Sequence, residues 1–256
     1  MTGPGTYAAD PGAAPLPRML QAQAALELRL ALRQGEQLLL TLVIPVLLTL
    51  LLVVGTLIGT DGSGRADYFL PGILALAVVS SSFTGLAIAT GFERKYGVLK
   101  RLGATAMPRS VLLGGKALAV LGLEAIQLGV LIGLGLALGW RPHGSPFGAL
   151  ALVLLGTAAF AGLGLLMAGT LRAEATLAAA NLVWFLLLLG GGLLLPASRL
   201  SGSAATVLQF LPSAALADGL RAVFHSGAGL PMLPVLILLG WAVVAFGAAV
   251  RWFRWE

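Results

Sequence analysis

The chain has 256 residues, 58% of them hydrophobic and only 10% charged, with a mean hydropathy of +0.97. Soluble domains are about a quarter charged, so the chain lacks the polar surface to cover a globule in water, and a soluble enzyme is excluded. The net charge of +6 reads, on a membrane protein, as basic loops near anionic lipid, with no nucleic-acid partner expected. The absence of cysteine removes disulfides, thiolate metal sites and thiol nucleophiles together.

Residues 1–17 hold Gly, Pro, Ala and Thr without periodicity and predict a disordered tail. No secretory signal is expected, because the first long apolar run starts near Leu38 and is too long for one. Residues 18–36 predict a helix. Leu28 and Leu32 share one face and Arg29, Arg33 and Glu36 another, which suits a helix lying along the membrane surface.

The rest of 18–256 reads as one all-α transmembrane domain. Apolar runs at 37–59, 70–92, 111–138, 147–170, 176–198 and 231–251 predict six spans, each near the ~20 residues a bilayer needs. With both termini inside, the cytoplasmic segments hold Arg18, Arg29, Arg33, Arg94, Lys95, Lys100, Arg101, Arg109, Arg172, Arg251 and Arg254, against Arg65, Arg141, Arg199 and Arg221 outside. The positive-inside rule therefore favours cytoplasmic termini in an inner (plasma) membrane. Trp140, Trp252 and Trp255 fall at the expected interfaces. Small-residue pairs at helix-packing spacing are Gly129 with Gly133, Gly135 with Gly139, and Gly164 with Ala168.

Several chemistries lack their residues. Gly115-Lys116 has Ser110 where a P-loop needs its first glycine, and Ala117 follows in place of Ser or Thr. Gly190 to Gly192 are flanked by leucines and mark a weak point in the fifth span. His143 and His225 stand in separate loops without a zinc-hydrolase pattern. No metal site and no catalytic residue is expected.

The loop between spans two and three concentrates charge: Glu93-Arg-Lys-Tyr-Gly-Val-Leu-Lys-Arg-Leu-Gly-Ala-Thr-Ala-Met-Pro-Arg109. As a helix from Glu93 to about Leu102 it sets Tyr96 near Leu99, with Arg94 and Lys95 toward the other side. A topology anchor needs only the basic residues, whereas a docking rod also uses the aromatic and aliphatic ones.

This stretch resembles the cytoplasmic loop of the membrane permeases of type-2 ABC exporters. A second stretch, Phe210-Leu-Pro-Ser-Ala-Ala-Leu-Ala-Asp218-Gly-Leu-Arg221, is similar to the same family's Pro-containing segment ending in Asp-x-x-Arg. The resemblance implies docking to a separate ABC ATPase subunit through Glu93, Arg94, Lys95, Tyr96, Leu99, Lys100 and Arg101. It also implies pairing with a second permease, the same chain or a related one. ATP and Mg would bind in the ATPase, and no cofactor is expected in this chain.

Between spans five and six, Ser213 can cap a helix after Pro212, Gly227 can end it, and Leu216, Leu220, Val223 and Phe224 form one apolar face. Asp218 and Arg221 can pair at i, i+3. The resemblance implies a re-entrant outer lid here, and a plain surface helix is the alternative. Glu124, deep in span three with Gln127 on its face, and Asn181 in span five are the intramembrane polar candidates. Lys116 is expected to snorkel to the near interface rather than pair with Glu124. The expected function is an ATP-driven exporter permease for amphipathic or apolar cargo, a drug, antibiotic or lipid. The alternative is an ion- or proton-coupled carrier titrating at Glu124.

Overall fold

The computed structural model describes residues 14–33, 35–55, 64–104, 107–194, 208–226 and 229–252, whose regular structure is all helical. We number the helices α1 (Leu16–Arg33), α2 (Gly35–Thr49, continuing through a wide π turn at Leu50–Val54), α3 (Arg65–Lys95), α4 (Val98–Gly103) and α5 (Arg109–Ala137). They are followed by α6 (Pro146–Thr170), α7 (Ala173–Gly190), α8 (Pro212–Ser226) and α9 (Met232–Trp252). Five of them, α3, α5, α6, α7 and α9, are long and apolar enough to cross a membrane, and the run Thr41–Val54 forms a shorter apolar helix where the first span was expected.

Helix α3 is the axis of the bundle. Every residue from Phe69 to Phe83 is buried, because a helix that is apolar all round belongs inside, surrounded by other helices. It packs against α2, α5, α6 and α8. Its regular ladder widens into a π turn at Ser80–Gly85. There Ser80, Ser81 and Ser82 donate to the carbonyls of Leu76, Ala77 and Val78, a side-chain competition that distorts helices.

Small residues set the closest approaches. A methyl on Gly164 would stand 2.9 Å from the Phe83 carbonyl oxygen, so α6 lies directly on the π turn, and one on Gly162 would stand 2.9 Å from Ala245 of α9. Gly135 admits Leu70 of α3. Within the chain Gly129 and Gly133 face open space, and Gly139 (φ +89°) follows the end of α5.

The first helix is laid lengthwise on α5, with Leu20 against Gly114, Gln23 against Gly115 and Leu28 against Gly122. Positions advance in the same direction on both helices, so α1 runs alongside α5. Two expectations are corrected. The fifth span stops at Gly190, not 198, because the glycine triplet ends the helix with Gly192 at φ +76°. The 93–102 segment is two helices, broken at Tyr96-Gly97, where Gly97 adopts φ +71°, a conformation that favours glycine.

Candidate functional site

Three polar assemblies are strung along α3. The first lies at the end of the bundle carrying Arg94, Lys95, Lys100 and Arg101, the basic end. Lys116, seven residues into α5, is only 2% exposed in its side chain and places Nζ 2.5 Å from Glu93 Oε2 and 2.9 Å from Glu27 Oε1. The Gln23 amide donates to the same Glu27 oxygen at 2.8 Å. Instead of snorkelling, Lys116 joins α1, α3 and α5 in one buried ion cluster, which suits the high cost of an unpaired interior charge. Glu27 carried no recognisable motif; its only signal was a position four residues after Gln23.

Next to the cluster, Arg94 donates from Nη1 to the Gly169 carbonyl at 2.8 Å and from Nη2 to that of Leu171. These are the free carbonyls at the C-terminus of α6, where a cation is favoured by the helix dipole. Lys95 pairs with Glu174 in the first turn of α7. Glu93, Arg94 and Lys95 thus tie the end of α3 to α5, α6 and α7, and through Lys116 to α1. Tyr96 is 65% exposed and stacks on Phe92, whereas Leu99 is 1% exposed. The expected Tyr96–Leu99 face is therefore split by the Gly97 break, and the exposed group is Tyr96, Lys100 and Arg101.

The second assembly sits near the middle of α5. Glu124, 1% exposed, accepts a 2.5 Å bond from the Thr157 hydroxyl of α6. Gln127, 2% exposed, is bonded to Ser81 in the π turn. Thr157 had no signal in the sequence. Asn181 is apart from them: it is exposed and donates to Leu177, four residues back on its own helix.

Two cavities flank the π turn and share Thr41 and Gly85. One, about 80 Å³, has Glu27, Ser81 and Lys116 in its wall. The other, about 190 Å³, lies between α2, α3 and α7. Its walls are Ile44, Pro45, Ile88 and Trp184, with Ser80, Thr84 and Asn181 as uncharged polar groups. Trp184 donates to Ser80 at 2.8 Å, and the Thr84 hydroxyl is buried without a hydrogen-bond partner.

The third assembly is at the far end. Arg221 of α8 donates to the carbonyls of Gly192 (2.8 Å) and Leu193 (2.6 Å) and to Asp218 (2.7 Å). Pro212 to Ala217 are buried against neighbouring helices. Ser213 does not cap α8: it lies inside the first turn with its hydroxyl unpartnered. Gly227 falls outside the described residues. Trp140 is also 2% exposed and meets Phe224 edge-on, and Trp255 is outside the described residues. Among the described residues no three His, Cys, Asp or Glu converge as a metal site would.

The sequence profile described as ABC-2 family transporter protein matches residues 54–251, from the end of α2 through α9. The chain belongs to the ABC-2 transporter family. No curated protein matches it. As an ABC-2 permease it is a multi-pass membrane component of a transport system, and all three polar assemblies fall wholly or mainly within the matched region.

Proposed function

We propose that this ABC-2 permease is the transmembrane subunit of an exporter that moves amphipathic or apolar cargo out of the cytoplasm, driven by a separate ATPase that binds ATP and Mg. The basic end faces the cytoplasm of a cell whose inner membrane holds the chain, with both termini on that side. The ATPase docks on Tyr96, Lys100 and Arg101, and a second permease completes the path. Helix α8 re-enters the outer leaflet as a lid whose seat is Pro212, Asp218 and Arg221.

The observation that carries this reading is the wiring behind the exposed tip. Glu93, Arg94 and Lys95, immediately before Tyr96, are bonded to α5, α6 and α7, and Lys116 extends the link to Glu27 of α1. A push on the tip moves those helices together, since packed interiors transmit displacement rather than absorb it. The nearby 190 Å³ cavity, with apolar walls and an unpartnered hydroxyl, offers the contacts that part of a neutral amphipathic cargo would use.

Buried aromatic anchors carry most of an interface's energy and rim charges less. Tyr96→Ala with Arg101→Ala should therefore release the ATPase in co-purification and abolish cargo-stimulated ATP hydrolysis, while the permease still folds. Wild-type levels of both would sink the docking assignment. Transport that needs no ATPase and collapses with the proton gradient would favour the carrier reading at Glu124.

A further inference from the structure

At the far end, α5 and α6 scarcely touch, and a cavity of about 460 Å³ opens between them under α8. We propose that this cavity binds a phospholipid of the surrounding bilayer, one acyl chain lying against Ile132, Leu150 and Val153 close to the buried Trp140, and the phosphate held by Arg141. This cavity is separate from the 190 Å³ one proposed for cargo and shares no lining residue with it.

The cavity is built in advance by its surroundings. Gly135 draws α5 onto Leu70, and Gly144 lies so close to the Val223 carbonyl that a methyl there would stand 1.7 Å from its oxygen. The His143 amide donates to the Phe224 carbonyl at 3.3 Å, and Trp140 meets the Phe224 ring edge-on at 5.1 Å. These contacts fix the loop and α8 as walls while leaving the space between α5 and α6 unfilled.

Its chemistry matches one end of a lipid at each level. Ile132, Ala149 and Val153 line it roughly 5–10 Å inside the ends of their helices, the depth of the first acyl carbons beneath the headgroups. No lining side chain is charged. The lining residue Leu150 is 54% exposed and presents apolar surface outward, as a wall facing hydrocarbon does. Arg141, exposed and without an acidic partner among the described residues, stands between the lining residues Trp140 and Pro142. Apolar walls beside an exposed arginine are an arrangement an anionic phospholipid satisfies, its phosphate accepting from the guanidinium. The volume is within the roughly 300–1,000 Å³ of sites that hold organic ligands.

The test uses the full chain in lipid nanodiscs with Trp140 as the sole tryptophan, Trp184, Trp241, Trp252 and Trp255 being replaced by Phe. Acyl-brominated phosphatidylglycerol should quench Trp140 at about one-fifth the concentration needed for brominated phosphatidylcholine, the worth of one cation near the surface. Arg141→Gln should erase that difference, and Ala149→Phe, which fills the groove, should weaken quenching by both lipids. Because the tryptophan replacements remove the Trp184–Ser80 bond, native mass spectrometry of otherwise unmodified protein supplies a second reading. Phosphatidylglycerol should stay bound to it and be lost from Arg141→Gln. Equal quenching by the two lipids, no quenching, or retention by Arg141→Gln overturns the proposal. So does efficient cross-linking of Leu150→Cys between two copies, which would give the cavity to a second permease.

Discussion

Lys116 and Glu93 meet with nitrogen and oxygen 2.5 Å apart although Lys116 is almost wholly buried and they lie 23 positions apart in sequence. Breaking a buried pair by removing one member costs about 3–5 kcal/mol, while replacing all members by neutral groups costs far less. Lys116→Met should therefore sharply lower the thermal midpoint of the purified permease, since Glu27 and Glu93 then repel. Adding Glu27→Gln and Glu93→Gln should recover most of the loss. A triple variant no more stable than the single one would show that the cluster acts chiefly through packing.

Arg221 holds the turn that ends α7. Each charge-assisted bond contributes about 1.5–3 kcal/mol, and a lysine ammonium does not reproduce the planar fork that spans two carbonyls. Both Arg221→Gln and Arg221→Lys should raise the accessibility of Leu194→Cys to a thiol reagent, with Lys rescuing little. Full rescue by Lys would leave only charge, not geometry, as the requirement.

Gly72 and Gly133 offer a paired comparison within two spans. A methyl on Gly72 would stand 1.9 Å from the Leu193 carbonyl oxygen, whereas Gly133 meets open space. Gly72→Ala should destabilise the protein strongly. Gly133→Ala should be neutral or stabilising by up to ~1 kcal/mol through helix propensity. Comparable melting points for the two would contradict the close approach at Gly72.

Glu124→Gln keeps an oxygen to accept the Thr157 bond, so ATP-driven transport should persist near the wild-type rate. Glu124→Leu leaves Thr157 unpaired and should lose about 1–3 kcal/mol of stability. Measuring transport with and without a proton gradient checks the first expectation, and loss of transport in Glu124→Gln would make the ionised carboxylate essential.

The orientation is checked with single cysteines at two exposed positions. Arg141→Cys should react with an impermeant thiol reagent added to intact cells, and Lys100→Cys only after permeabilisation. The reverse pattern would place the docking tip outside.

Membrane residence, helical class and family were legible in the sequence, because long apolar runs have one low-energy solution in lipid: the backbone must satisfy its own hydrogen bonds. The Asp218–Arg221 pair and the apolar face of α8 were legible too, since helical periodicity alone sets neighbours three and four residues apart. What only the tertiary structure decided involves partners distant in the chain. The sequence placed Lys116 in a span but held no sign that Glu27 and Glu93 would come to it, nor that Thr157 would meet Glu124. The break at Gly97 turned Leu99 inward and left Tyr96 exposed, although both fit one continuous helix by spacing. The glycine triplet marked a weak point, but the end of α7 there also depends on α8 bringing Arg221 to the freed carbonyls. Local propensity and hydropathy act within a few residues, whereas buried charges and helix ends are settled by whichever groups the packed bundle brings within hydrogen-bonding distance.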